Sequence, residues 1–491
     1  MFCSELMESS PVRYLSKDDI LSHRPVHAVW EITLACDLRC RHCGSRAGRR
    51  RPEELTTEEC LDVVRQLEDL GTREVTLIGG EAYLRKDWVS IIRAVADAGM
   101  LCTLQTGARS LTDQRIEEAA DAGLGAVGIS IDGLRDLHDG LRGVSGSFDL
   151  AVDALKRLRA HDITSSVNTQ ISAETLPQLR ALMETFIALG VKNWQVQLTV
   201  AMGRATDNPE LLMQPYQILE LMPLLAEIYQ EAAPRGLLLQ IGNNVGYFGP
   251  YEGMLRGSGS EFVHWNSCPA GRVGLGIEAD GTIKGCPSLP TSTYAGGNIR
   301  DLTLKEIWNY ADELSFSRIK NRDELWGFCH TCYYAEVCIG GCSWTAHSLL
   351  GKRGNNPYCY HRALELAKLG QRERIVRQVK LAPGRSFDYG RFEIVRETLS
   401  AEIISSTEIE RTEKIRVSAS SDTIDGSTSN KLAKQRLPFM ELCRGCQRHI
   451  LPETEECPHC GGNVRALADE YEEYLASARQ ARERLVSLLN V

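Results

Sequence analysis

Between residues 27 and 235 short apolar runs alternate with longer stretches of helical period. The runs are "AVWEITL" (28–34), "EVTLIGG" (74–80), "LCTLQTG" (101–107), "AVGISIDG" (126–133), "ITSSVNTQI" (163–171) and "WQVQLTV" (194–200). Each is short and largely apolar, with β-branched residues recurring, so each predicts a buried strand. Intervening segments such as "TEECLDVVRQLEDLG" put their apolar residues on one helical face, with Thr57 as N-cap and Gly71 as stop signal. Six strand–helix units in succession predict an α/β fold: a parallel sheet with right-handed crossovers, open or curled into a partial barrel. Ligands in such sheets sit at the carboxyl ends of the strands. The segment after Leu34 therefore belongs to the functional rim.

The rest of the chain divides by composition. Residues 1–26 form an N-terminal extension and 27–235 the strand–helix region. Residues 236–267, with "GNNVGYFGPYEG" at their centre, predict a connecting loop or lid, and 268–398 hold a cysteine-rich region with following helices. Residues 399–437 contain "SSTEIERTEKIRVSASSDTIDGSTSN", rich in Ser, Thr and charge, which predicts a flexible linker. Residues 438–491 hold four more cysteines and an amphipathic terminal helix. No internal repeat of 20 to 50 residues is visible.

Charge and composition narrow the function classes. A net charge of −9 gives no global basic footprint for nucleic acid. The opening segment is broken by charges and Pro11, and no apolar run reaches membrane-spanning length, so the reading is a cytoplasmic protein without a membrane partner. In that compartment 17 cysteines point to metal and redox chemistry rather than disulfides. Cys3, Cys60 and Cys102 stand alone and read as a tail residue and two core positions. The other fourteen are grouped.

The first group, "CDLRCRHC", sets Cys36, Cys40 and Cys43 at C-x3-C-x2-C directly after the first strand. Soft thiolates so closely spaced suit an iron–sulfur cube with one corner left open. A zinc loop with His42 as fourth ligand is the alternative. The second group runs Cys268-x12-Gly281-x4-Cys286, then Cys329, Cys332, Cys338 and Cys342 at C-x2-C-x5-C-x3-C, then Cys359. The third, Cys443, Cys446, Cys457 and Cys460, is C-x2-C-x10-C-x2-C and reads as a zinc ribbon, with a rubredoxin-like iron site as the alternative.

These spacings resemble the radical S-adenosylmethionine (SAM) enzymes with a SPASM extension, over roughly residues 27 to 362. The resemblance implies a partial (β/α)6 TIM-like barrel and a 4Fe-4S cluster on Cys36, Cys40 and Cys43 whose open iron is chelated by SAM. It assigns Gly79, Gly80 and Glu81 to the methionyl amino group, with Ala82 where the family usually has Pro. It assigns Ser130 and Asp132 of "SIDG" to the ribose, and Arg142 of "LHDGLRG", which also carries His138, to the cofactor carboxylate. Asn168 on the fifth strand is expected to face the same cavity. Two auxiliary 4Fe-4S clusters are implied, one on Cys329, Cys332, Cys338 and Cys359, the other on Cys268, Cys286 and Cys342 with no evident fourth cysteine. Three clusters and one Zn2+ complete the expected inventory.

By the same resemblance, reductive cleavage of SAM yields a 5'-deoxyadenosyl radical that abstracts hydrogen from a substrate, and an electron donor such as flavodoxin or ferredoxin is expected. The favoured substrate is a short, ribosomally made precursor peptide or protein whose side chains are modified. The rivals are an enzyme acting on a small metabolite or tetrapyrrole and a non-catalytic iron–sulfur carrier or scaffold. Roughly 25 residues precede the first strand, too few for a fused leader-binding domain. Leader recognition then falls to another region or to a separate leader-binding protein. The ribbon, tethered by the linker, is read as a recruitment module for a leader or partner.

Overall fold

A computed structural model describes residues 15–257, 263–379, 385–406 and 440–489. Its centre is one ten-stranded sheet. The strands are β1 (His27–Thr33), β2 (Glu74–Gly79), β3 (Leu101–Thr106), β4 (Leu124–Ser130), β5 (Thr164–Ile171), β6 (Asn193–Leu198), β7 (Leu238–Ile241), β8 (Gly274–Ile277), β9 (Thr282–Lys284) and β10 (Ala295–Asn298). Their spatial order is β10-β9-β8-β1-β2-β3-β4-β5-β6-β7, parallel from β8 to β7, with β9 and β10 added antiparallel. The six expected strands are all present. Residues such as Trp30, Leu77, Leu104, Val167 and Trp194 alternate toward the helices and are buried, which leaves the opposite face of each strand for the concave side.

The first long helix, α1 (Thr57–Asp69), starts one residue earlier than the capping pattern suggested. Thr56 is its N-cap, in a reciprocal box with Glu59, and Gly71 follows the C-cap with φ +75°. Cys60 and Cys102 lie in the core as expected, at 1% and 0% exposure. Cys3 lies outside the described residues.

Three expectations need correction. The segment expected to be wholly a loop or lid contributes β7, which pairs with β6 in parallel. The apolar signal was there, since Leu237 and Leu239 are buried, but four residues are too few to stand out against the glycine-rich text that follows. The helices expected after the cysteine-rich region are limited to α4 (Tyr360–Lys368), which follows α2 (Arg135–Arg142) and α3 (Ser343–Leu350) in the chain. Beyond α4 comes an antiparallel sheet of β11 (Gln371–Val379), β12 (Arg391–Thr398) and β13 (Ile403–Ser406). Its short alternation was masked by charges that are paired across it, such as Arg372 and Arg374 with Glu397. β13 occupies the start of the expected linker, and residues 407–437 lie outside the described residues.

The last cysteine group sits on a hairpin of β14 (Glu441–Leu442) and β15 (His449–Ile450), followed by α5 (Val464–Leu489). This unit is docked rather than tethered free. Tyr334, 1% exposed, donates its hydroxyl to the His449 carbonyl at 2.7 Å and lies 2.8 Å from His459 Nε2. Arg448 pairs with Glu365 of α4 at 3.0 Å, and the Leu451 N–H donates to the Tyr333 hydroxyl. Among the described residues no helix is long and apolar enough to cross a membrane.

Candidate functional site

The loop after β1 is held at both ends of its cysteine triplet. Leu34 and Cys36 exchange backbone hydrogen bonds with Gly48, and the Leu38 N–H points to Cys36 Sγ at 3.4 Å. Arg204, just beyond β6, clamps the loop from the far side through the Cys40 and Ala47 carbonyls. Its neighbour Gly203 has φ +56°, and a Cβ there would lie 2.4 Å from the Cys43 carbonyl oxygen. Sequence reading missed this clamp; a Gly-Arg pair closely following a strand was the available signal.

The three thiols share one small volume. Burial pushes the Cys36 thiol up, with Glu81 adding to the effect, and pushes Cys40 up to about 11, with Cys43 adding and Arg142 opposing. Thiols held protonated in this way load a metal with release of protons. His42 is turned to Asp132, 3.2 Å from its carboxylate, and is therefore committed away from the thiols.

Gly79 and Gly80 bring the β2 terminus against this loop. A Cβ on Gly79 would lie 2.1 Å from the Thr33 carbonyl oxygen, and one on Gly80 would lie 2.1 Å from that of Ala35 and 2.7 Å from Cys36 Cβ. Only glycine fits either position. The approach delivers Glu81, whose carboxylate, with Cys36 and Asp37, places ligand atoms within 4.8 Å of one another. Glu81 accepts from the Thr106 hydroxyl and from the Gly107 N–H at 2.8 Å. Burial nevertheless raises its pKa to about 7. A soft three-cysteine corner beside a buried acid that forms no salt bridge among the described residues fits a cluster whose open iron is completed by an amino acid cofactor.

Arg142, at the end of α2, links two of the expected residues. Its Nη1 lies 3.6 Å from Cys40 Sγ and its Nη2 lies 2.6 Å from Asp132. Burial opposes ionisation of Asp132, but Arg142 and then His42 hold its carboxyl well below the usual carboxylate range. Asp132 is 0% exposed, and its Oδ1 accepts the Gln170 N–H at 2.9 Å. It is set to orient Arg142 and His42 rather than to face open space. Asn168 pairs with Gln105 across Gly128, and Ser130 is its register partner on β4.

The second cysteine group folds into two sets. Cys342 is pushed up to about 12 by burial and then by Cys268 and Cys286, so these three thiols lie near enough to influence one another and form the candidate three-thiol set. Cys338 is raised by burial and then by Cys359, Cys329 and Cys332, so these four thiols lie near enough to influence one another and form the candidate four-thiol set. Trp344 packs against the apolar clusters that contain both sets. No further cysteine joins the three-thiol set among the described residues. In the last group all four sulfurs lie within 4.8 Å of one another, with Cys443–Cys460 at 3.8 Å and Cys446–Cys457 at 3.7 Å, spacings that suit one tetrahedral ion.

Comparison with known proteins gives the same picture. The radical SAM superfamily profile matches residues 30–211, and that of the SPASM iron–sulfur cluster-binding domain matches 268–333. The AdoMet-dependent heme synthase of Methanosarcina barkeri is 29% identical over 70% of this chain and 98% of its own length. The PqqA peptide cyclase of Bradyrhizobium diazoefficiens is also 29% identical, over 68% of this chain and 86% of its own. In fold, the crystal structure of Streptococcus suis SuiB bound to S-adenosylmethionine superposes with a TM-score of 0.54 at 17% identity, covering 68% of this chain and 76% of that one. Thiol corner, glycine cradle and sequence profile together show that this chain is an enzyme of the radical SAM superfamily and carries a SPASM domain.

Proposed function

We propose that this enzyme is a cytoplasmic maturase that modifies side chains of a ribosomally synthesised peptide. Cys36, Cys40 and Cys43 would hold the 4Fe-4S cluster, with Gly79, Gly80 and Glu81 receiving the amino group of SAM and Arg142 its carboxylate. When bound, cluster and cofactor supply a 5'-deoxyadenosyl radical able to abstract hydrogen from an unactivated carbon. The chain's own residues position and shield that event. Arg204 and Gly203 fix the cluster loop, and Asp132 fixes Arg142. The three-thiol and four-thiol sets would hold the auxiliary clusters, and Cys443, Cys446, Cys457 and Cys460 a zinc ion.

The observation that carries the substrate class is the charge of the concave face. Register partners share a face, and the inward positions read His27–Glu74, Val29–Thr76–Thr103, Glu31–Ile78, Gln105–Gly128–Ser166, Ser130–Asn168–Gln195–Gln240 and Gln170–Gln197. No lysine or arginine stands among them. Nearby cations are already engaged: Arg142 by Asp132 and, in this proposal, by the SAM carboxylate, Arg46 by Asp207 and Asp388, Lys284 by Glu278, and Arg204 by the Cys40 and Ala47 carbonyls. A tetrapyrrole bearing several carboxylates would need cations here, whereas a neutral peptide segment would not.

The near full-length match to a heme synthase favours the tetrapyrrole reading and makes it the rival. Anaerobic coexpression with a short peptide encoded beside this protein, read by mass spectrometry, is expected to show a mass change that depends on Cys36, Cys40 and Cys43. Turnover of a propionate-bearing tetrapyrrole with no change to any peptide would overturn the proposal.

A further inference from the structure

The concave face carries a feature that cofactor binding leaves unused. Gln195 and Gln197 stand two residues apart on β6, flanked in register by Gln240 on β7 and Gln170 on β5. Among the described residues the side-chain amides of these four have no hydrogen-bond partner, in contrast to Asn168, which pairs with Gln105. Gln170, Gln195 and Gln197 are half-buried, and the adjoining positions Trp194, Val196 and Leu198 face the core. The β6 pair begins beside Asn168, the residue on β5 expected to border the cofactor.

Resting on the peptide reading above, we propose that Gln195 and Gln197, supported by Gln170 and Gln240, bind the backbone amides of an extended substrate segment. Each glutamine offers both a carbonyl acceptor and an N–H donor, the complement of a peptide group. Residues i and i+2 of a strand lie about 6.6 Å apart, which is also the repeat of like-facing peptide groups in an extended chain. Two glutamines at that spacing can therefore engage alternate peptide groups of a segment lying along β6, with the neighbouring strands contributing amides roughly 4.8 Å to either side. Half-buried amides with no internal partner lose their water when a substrate covers them, so they favour a ligand that returns both a donor and an acceptor. Side-chain identity of the substrate is not read by such contacts. The ladder would hold many sequences in one register and present successive side chains to the cofactor.

The test uses the full-length, cluster-loaded protein under anaerobic conditions and a mixture of N-acetylated, C-amidated heptapeptides of randomised neutral sequence, with retained peptides identified by mass spectrometry. Wild type is expected to retain a subset, and the Gln195→Leu/Gln197→Leu variant to retain at least tenfold less. Gln197→Met serves as a milder variant, and iron per chain and thermal midpoint report on folding. A retained peptide resynthesised with one backbone ester in place of an amide should bind wild type more weakly at one position and lose nothing further in the variant. Equal retention by wild type and both variants would overturn the ladder while leaving the peptide reading intact. Retention of no peptide by wild type, together with binding of a tetra-anionic coproporphyrin, would overturn the peptide reading itself.

Discussion

The Tyr334 hydroxyl donates to the His449 carbonyl at 2.7 Å and so joins the auxiliary-cluster region to the four-cysteine hairpin. The Tyr334 backbone N–H also points to Cys332 Sγ at 3.4 Å. One residue thus contacts a thiol of the four-thiol set and the four-cysteine hairpin docked beside it. Met440, at the ribbon's entry, is buried with Tyr334, Cys338 and Cys359. Docking of this kind argues against a freely tethered recruitment module. Truncation after Leu399 is expected to lower the thermal midpoint and to speed bleaching of an auxiliary cluster in air. Tyr334→Phe, which removes one donor to a buried carbonyl, should cost about 1–2 kcal/mol and increase deuterium exchange across residues 440–463. Unchanged cluster lifetime in the truncated protein would restore the tether view.

Gly80 tests the glycine cradle. A methyl group there meets the Ala35 carbonyl and Cys36 Cβ, both fixed by the cluster loop. Gly80→Ala is expected to displace that loop, at a cost of about 1–3 kcal/mol, and to lower iron loading of the first site. A crystal structure of the variant with an unmoved loop would show that the cradle tolerates a side chain.

How far the sequence reached follows from the length scale of each constraint. Cysteines that share one loop are recorded by local spacing, so the grouping of Cys36, Cys40 and Cys43 after β1 was legible as a candidate site. So was Glu81, because Gly79 and Gly80 announce a close backbone approach. β7 was lost because Leu238–Ile241 is short, and the sheet of β11 to β13 because its charges pair only across strands. The Tyr334–His449 contact joins residues 115 apart in the chain. No local spacing records such a contact, and the intervening serine-rich segment suggested independence instead.

His138 gives a pH dependence with a definite sign. Its Nδ1 accepts the Asp132 N–H at 3.2 Å, so it is held neutral, and burial lowers its pKa from 6.5 to about 4, with Arg142 adding. Between those values the unfolded chain binds a proton that the folded chain does not. Stability therefore falls as pH drops from 6.5 toward 4, by at most about 3 kcal/mol. His138→Gln keeps an acceptor for Asp132 and removes the titration. Urea midpoints measured against pH should fall less steeply for the variant; parallel curves would assign the acid sensitivity elsewhere.

The cluster assignment has a direct chemical test. Changing Cys36, Cys40 and Cys43 together to Ala should remove one of three clusters, leave the auxiliary signals in place and abolish cleavage of SAM. Cleavage that survives in the triple variant would defeat the assignment.

Glu81→Gln separates cofactor binding from cluster binding. The wild-type carboxylate is 2% exposed and is satisfied by Thr106 and Gly107, yet burial holds its pKa near 7. A buried acid in this condition gains most from an arriving cation, because Arg142 opposes the effect of burial only in part and an ammonium in direct contact supplies a closer countercharge. Glutamine keeps the size and an acceptor for the Gly107 N–H, but it cannot form that ion pair. We expect the variant to bind SAM at least tenfold more weakly, a loss of about 1.4 kcal/mol or more, with iron content unchanged because no thiol is touched. Equilibrium titration of SAM into the cluster-loaded variant reads the first quantity and metal analysis the second. Equal affinity would give Glu81 a purely structural part in joining β2 to β3, and loss of iron would show that the carboxylate shapes the cluster loop itself.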